Sequence, residues 1–259
     1  MLDGQYIGML SPYTVLGGGF ANANDDPPQH DRPLSMTDRT YQTIKDRIAT
    51  LQLRPGQCVT EEQLVELLGG GTSKTPVRDA VRWLVKEGFI HKLGRSYRVA
   101  PITIRETRDI FAFRAILETA AVHRVLDRHA DVDQLVAYQS RAAAAYDRTD
   151  PESIRRFLCD SDGFHMAVAE AADSATLTSS LALALERLQP VLQLMLRSVP
   201  ADRLVVCEHN SLAAAISHRN AEEAVAAVEN HLRASEGLVL EVLFNLGGEV
   251  QLPPEFAAS

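Results

Sequence analysis

From Ser73 to Arg98 the chain reads SKTPVRDAVRWLVKEGFIHKLGRSYR, and few folds accommodate such a run. Val77, Ala80, Val81, Leu84 and Val85 recur at the spacing of one helical face, while Lys74, Arg78, Arg82 and Lys86 stand four apart along another. Thr75 is expected as the N-cap, Pro76 as the first helical residue and Gly88 as the exit. Two short β-prone segments follow, FIHKL and SYRVA, joined through Gly94-Arg95. The run carries seven Lys and Arg against two Asp and Glu. An apolar face pins this helix to a core, so its basic face and the basic hairpin are left to meet something anionic.

Two further helices precede it. Tyr41, Ile44, Ile48 and Leu51 keep helical spacing until Arg54-Pro55-Gly56 ends the segment. Thr60 and Gln63 have the spacing of a capping box ahead of Leu64, Leu67 and Leu68, and Gly69 to Gly71 break the chain. Three helices and a hairpin within residues 37–101 predict a winged helix-turn-helix domain. Such a domain reads double-stranded DNA with the N-terminal side chains of one helix at base edges and its neighbours on phosphate. Ser73, Lys74, Thr75 and Arg78 occupy that end, and Arg82 extends the basic face. Arg78 can offer guanine a bidentate donor pair, and Ser73 and Thr75 can hold phosphate. Gly94, Arg95 and Arg98 are expected at the wing tip. A charge run is ordinarily a solvated helix face, but here the charges coincide with the entry helix and hairpin of one compact motif.

The net charge of -8 does not exclude this partner, because the charge is unevenly distributed. Residues 36–101 hold 11 Lys and Arg against 7 Asp and Glu, whereas residues 102–259 hold 14 Arg, no Lys and 23 acids. The local field governs a phosphate contact. Residues 1–36, rich in Gly, Asn, Asp and Pro, read as a disordered tail, with Met36 as an alternative start. Residues 102–247 carry helical patterns over 103–129, 131–148, 151–172, 174–199, 201–219 and 220–246, with a kink expected at Pro190. Residues 248–259 read as a second tail. The expected fold class is therefore mainly α: an N-terminal winged helix-turn-helix plus a C-terminal all-helical bundle of about six helices.

No apolar run approaches the roughly 18–20 residues of a membrane span, and the opening MLDGQYIGML lacks the positive charge of a secretion signal. A cytoplasmic protein is expected. Cys58, Cys159 and Cys207 are odd in number and widely separated, which predicts small buried thiols rather than disulfides or a zinc cluster.

The stretches YQTIKDRIATLQLRPGQCVTEEQLVELL and TSKTPVRDAVRWLVKEGFI resemble the GntR superfamily of bacterial regulators, and SKTPVRDAVRWLVKEG is highly specific for it. FRAILETAAVHRVL, GFHMAVAEAA and EHNSLAAAISHRNAEEAVAAVENHL resemble its FadR-type C-terminal ligand-binding (FCD) domain. The resemblance implies a homodimer on a short palindromic operator, controlled by a small metabolite. Two departures stand out. The turn GGGTS is about two residues longer than the family's usual Leu-Gly-Val-Ser type, and the wing carries LGRSYRV, so that Gly94 must make its tight turn.

Three histidines of the helical part are candidates for chemistry: His165, His209 and His231. A metal site needs imidazoles that converge, which spacing alone does not establish, and a histidine on an amphipathic helix is more often a core or partly exposed residue. The resemblance implies a divalent metal (Zn, Ni or Mn) held by one aspartate and three histidines, which these three match. The aspartate's position, four before the first histidine, is Ser161, with Asp160 and Asp162 on either side. Three outcomes stay open: Asp162 substitutes, a water on Ser161 completes the shell, or metal binding is weakened or lost.

Arg114 and Glu118 lie one turn apart, which by itself means an intrahelical ion pair worth a few tenths of a kcal/mol. By resemblance Arg114 faces the ligand cavity. A guanidinium opposite a metal would clamp a small carboxylate, so an organic or sugar acid is the expected effector. Two other readings are a helical domain that only dimerises and a three-histidine metalloenzyme, for which no nearby motif supplies a general base.

Overall fold

The computed structural model describes residues 34–69, 71–130, 146–199 and 202–250, with the side chains of 202–207 excepted. Residues 1–33 of the expected tail, most of the helix expected from Asp131, the break at Pro200-Ala201, the Cys207 side chain and most of the second tail lie outside them, while Ser35 and Met36, read as the end of that first tail, cap and open the first helix. Within them the fold is mainly helical, with eight helices and five short strands, as expected.

Helix α1 (Met36–Ala49) opens with a capping box between Ser35 and Asp38. The expected apolar stripe holds for Ile44 and Ile48 but not for Leu51. Leu51 follows the C-cap Thr50 with φ 66 and is buried in the core of the C-terminal helices. The left-handed region costs an L-residue about 1–2 kcal/mol, and burying a leucine returns about 1.5–3 kcal/mol, so the exchange favours the observed conformation.

Strand β1 (Cys58–Val59) leads to α2 (Glu61–Leu67), which is capped by the expected Thr60–Gln63 box. Helix α3 (Lys74–Lys86) starts two residues earlier than expected. Ser73 is its N-cap, not Thr75, and Pro76 is the third helical residue. Nothing is lost there, because the first N–H groups of a helix have no intrahelical partner. Gly88, at φ 85, carries the chain out.

Strands β2 (Ile90–Leu93) and β3 (Ser96–Val99) form the wing, and the sheet order is β1-β3-β2, antiparallel throughout. Gly94 takes φ 58 at the first of two loop residues, the position that a glycine-first hairpin turn requires. Arg98 is not at the wing tip. It sits mid-sheet opposite Cys58 and His91, because the register pairs Leu93 with Ser96 and places Arg98 two residues behind the loop. Val59, Ile90, Tyr97 and Val99 face inward onto Ile44, Ile48, Leu64, Val77, Val81 and Leu84, a core separate from that of the C-terminal helices. Cys58 is exposed, contrary to the buried thiol expected, because the two-residue strand alternates and Val59 takes the inward place.

Strand β4 (Ile102–Thr103) precedes α4 (Ile104–Asp127), α5 (Pro151–Ala171), α6 (Ala175–Ser198), α7 (Asp202–Ser217) and α8 (Ala221–Asn245). Asp150 and Asn220 cap α5 and α8. Residues 146–150 form a turn instead of ending a helix at 148. The second tail is not loose at its start: β5 (Glu249–Val250) pairs antiparallel with β4 and ties the end of the bundle to the interdomain connection. Helix α6 is continuous through Pro190, which has no N–H to offer the carbonyl of Glu186.

That turn of α6 is where the two cores meet. Lys45 on α1 lies 2.5 Å from Glu186 and donates to the Tyr41 hydroxyl at 2.7 Å. Tyr41 in turn donates to Glu87, at the exit of α3, at 2.5 Å. The next residue, Arg187, is bonded to Glu106, and its guanidinium lies 3.5 Å from where a Cβ on Gly88 would stand.

Candidate nucleic-acid interface and metal centre

Ser73, Lys74, Thr75, Arg78, Arg82, Gly94 and Arg95 are all exposed. Three of the cations are held by acids of the same domain. Lys74 lies 2.6 Å from Glu62, and Arg82 lies 3.1 Å from Asp79. Arg78 grips Glu61 with two nitrogens, Nε at 3.1 Å and Nη2 at 2.9 Å. The Tyr97 hydroxyl donates to the same carboxylate at 3.2 Å. The bond from Arg78 holds Glu61 below the usual carboxylate range. Exposed pairs of this kind contribute about 0.2–1 kcal/mol, so a DNA phosphate or base edge can displace them. Glu61 thus aims the Arg78 fork without locking it. The spacing of α2 and α3 in the sequence did not show this acid, although it stands directly after the Thr60 cap.

In the helical domain, α5, α7 and α8 bring His165, His209 and His231 together. One ring nitrogen from each lies within 4.8 Å of the others, and the ring centroids are 4.8 to 5.0 Å apart. All three residues are buried. Phe164 walls the group, stacked on His209 at 4.6 Å.

Two carboxylates stand behind the rings. Glu118 accepts from Nδ1 of His165 at 2.8 Å, and Glu208 accepts from Nδ1 of His231 at 2.9 Å. A carboxylate on Nδ1 fixes the tautomer and leaves Nε2 as a bare donor atom, as the outer partners of metal-bound histidines do. Nε2 of His165 and Nε2 of His209 are 3.2 Å apart. Two nitrogens bound at about 2.0–2.1 Å to one tetrahedral ion stand about 3.3–3.4 Å apart, so the spacing suits a shared ion. Burial lowers the pKa of His209 well below the ordinary imidazole value, and burial also lowers that of His231, against the pull of Glu208. Both rings are therefore neutral at pH 7, the form that ligates.

Asp162 is not in this convergent group. It is buried between α5 and α6, where it accepts from the side-chain amide of Gln189. Glu118 is instead the acid that the sequence reading undervalued. Its Oε1 accepts from Nε of Arg114 at 2.8 Å, and its Oε2 holds His165. Burial would raise its pKa, but the Arg114 guanidinium and the His165 ring outweigh that and keep it ionised. Nη2 of Arg114 is buried without a hydrogen-bond partner among the described residues, as is Nδ1 of His209.

The fold and these two surfaces define a class: a winged-helix DNA-binding regulator with a helical C-terminal domain. The chain belongs to the gntR family of bacterial regulatory proteins, whose family model matches residues 36–106, and an FCD domain matches residues 109–234. It is similar to the HTH-type transcriptional regulator BphR of Paraburkholderia xenovorans, 28% identical over 88% of this chain and 96% of that one. Over 43% of this chain it is 29% identical to the HTH-type transcriptional regulator YdhC of Bacillus subtilis, and it spans about half (49%) of that relative's length. Among solved structures, E. coli McbR/YncC shares the fold with a TM-score of 0.68 at 21% identity, over 81% of this chain and 99% of that one. A GntR regulator from a Rhodococcus species does so at 0.65 and 20%, over 80% and 99%. The names of the relatives are those of transcription regulators, not of enzymes. No helix among the described residues is long and apolar enough to cross a membrane.

Proposed function

We propose that this DNA-binding regulator acts in the cytoplasm as a homodimer on a palindromic operator, and that a small carboxylate bound beside a metal in its helical domain sets its operator affinity. The observation that carries this reading is the unpartnered buried Nη2 of Arg114, tied through Glu118 to the three-histidine cluster. Buried polar groups are rarely left orphaned, and a guanidinium nitrogen calls for an oxygen anion. His165, His209 and His231 would hold the ion. An imidazole set without its aspartate suits Zn²⁺ or Ni²⁺ better than the harder Mn²⁺. When bound, the metal supplies a positive centre for one carboxylate oxygen. Arg114 takes the other oxygen, and Glu118 keeps both Arg114 and His165 in register.

Because the residues of the cluster are buried, an effector bound there would displace the helices around it. Helix α5 carries His165 and, one turn earlier, Asp162, which is bonded to Gln189 of α6. One turn before Gln189 stands Glu186, bonded through Lys45 and Tyr41 to Glu87 at the end of the recognition helix. Displacement of α5 against α6 would thus change the seat of α3. The DNA would in turn change effector affinity by the same factor.

The test is a thermal melt of chelated protein before and after Zn²⁺ or Ni²⁺, repeated with His209→Ala. An ion at 100 times its dissociation constant adds about 2.7 kcal/mol, a rise of several degrees that the variant should lose. No rise with either ion would remove the metal from the account and leave the helical domain as a dimerisation module.

A further inference from the structure

The three histidines are buried, yet an ion that binds them has to come from solvent. Two carboxylates touch the rings, and they differ in what lies beyond them. The Glu118 side chain, on His165, is 5% exposed, and its other oxygen is held by Arg114. The Glu208 side chain, on His231, is 17% exposed and lines a groove of about 380 Å³ along the seam of α7 and α8.

The groove follows from residue size and spacing. Glu208, Ala214 and His218 fall on one face of α7 and the turn after it, and Glu223 and Ala226 fall on the facing side of α8. Ala214 and Ala226 are exposed midway, where their methyl groups leave open a channel that longer side chains would fill. From Glu208 to His218 the seam is about 15 Å long. A short turn joins the two helices, so Glu223 stands with His218 at one end and Glu208 meets His231 at the other. The chemistry of the lining selects what can pass. No Lys or Arg among the described residues lines the groove. Its two carboxylates and its imidazole are donors for a divalent cation, and the carboxylates repel an organic acid. Size agrees, since a divalent ion with about six waters at about 30 Å³ each needs roughly 200 Å³.

We propose that the α7–α8 groove is the loading path of the metal centre: Glu223 and His218 capture the cation at the mouth, and Glu208 delivers it to the histidines. Glu208 is placed for this twice over, because it precedes His209 in the chain and holds His231 through its side chain. The proposal rests on the metal reading above and concerns how fast the site fills, not how tightly it holds. A path is travelled in both directions, so closing it slows loading and release by the same factor and leaves the dissociation constant where it was.

The test uses the full chain loaded with Zn²⁺ and mixed with an excess of a chromogenic chelator, which times release. Equilibrium titration gives the dissociation constant, and the release rate divided by that constant gives the loading rate. Ala226→Phe fills the groove midway and should slow both rates about 10-fold or more. Glu223→Gln removes the acid at the mouth, about 12 Å along α8 from His231 and beyond the reach of an exposed charge at physiological salt. It should slow both rates about 3-fold. Glu222→Gln makes the same change of charge outside the groove and should exchange like wild type. All three positions are exposed, and far-UV circular dichroism checks that the fold is kept. Equal slowing of loading and release at an unchanged dissociation constant bears the path out. Folded Ala226→Phe and Glu223→Gln proteins that exchange Zn²⁺ like wild type overturn the path and leave the metal centre standing. Faster release with weaker binding also overturns it, since the groove residues would then belong to the site itself. A wild type that binds no Zn²⁺ overturns the metal reading and the path together.

Discussion

Replacing Glu118 by alanine is expected to lower the unfolding free energy by about 3–5 kcal/mol, the range for a buried ion pair broken on one side. An exposed pair four residues apart on a helix would contribute only about a tenth of that. The difference is burial: the side chains of Arg114 and Glu118 are 4% and 5% exposed. Removing the carboxylate strands the whole Arg114 guanidinium in the core and frees the His165 ring to rotate. The same variant should bind Zn²⁺ about 10- to 100-fold more weakly, because a second-layer carboxylate is lost. Glu118→Gln keeps an oxygen for Arg114 and should recover part of the stability. Urea denaturation measures the first effect and metal titration the second. A loss below about 1 kcal/mol would mean that Arg114 is not confined as its surroundings indicate.

The second large effect lies at the seam. Lys45→Met leaves Glu186 buried without its cation, where burial already raises its pKa, and should destabilise the protein by about 3 kcal/mol or more. The double variant Lys45→Met/Glu186→Leu removes both charges and should recover most of that loss, since an apolar pair can replace a buried ion pair at little cost. The double variant is therefore the informative one. If the Lys45–Tyr41–Glu87 chain carries displacement from α6 to α3, this protein should fold and bind DNA while its affinity no longer responds to metal or carboxylate. Full response in a stable double variant would place the coupling elsewhere in the α1–α6 contact. Both properties are readable by denaturation and fluorescence anisotropy on the same sample.

Much of the fold was legible because it depends on local pattern. The stripe from Val77 to Val85, the Thr60–Gln63 box and the Gly94 turn each state their geometry within a few residues, and the helical class follows from the periods downstream. What the sequence did not disclose depends on contacts between distant residues. Leu51 keeps the period of α1 yet leaves the helix, because a second core stands beside it. Strands β4 and β5 are two residues each, too short to show alternation. Thr75 and Ser73 are equally good caps on paper, and Pro76 permits either. At the candidate metal centre, the three histidines stood out only through family resemblance, since their convergence is a property of three separate helices. The i,i+4 relation of Arg114 and Glu118 was visible, but its burial and its reach to His165, 47 residues on, were not. Asp162 lies within about 60° of His165 around α5, yet its carboxylate accepts from the amide of Gln189 on α6 and is not in the histidine group.

The central claim is that operator affinity depends on what occupies the helical domain. The most direct measurement takes the DNA duplex that the protein itself selects from a random pool. Its dissociation constant is then measured with chelated protein, with Zn²⁺-loaded protein, and with Zn²⁺-loaded protein plus each of a panel of small mono-, di- and tricarboxylates. At least one carboxylate is expected to change the constant about 5- to 150-fold, and only when the metal is present. Equal affinities across every condition would contradict the claim and describe a regulator whose helical domain dimerises but senses nothing.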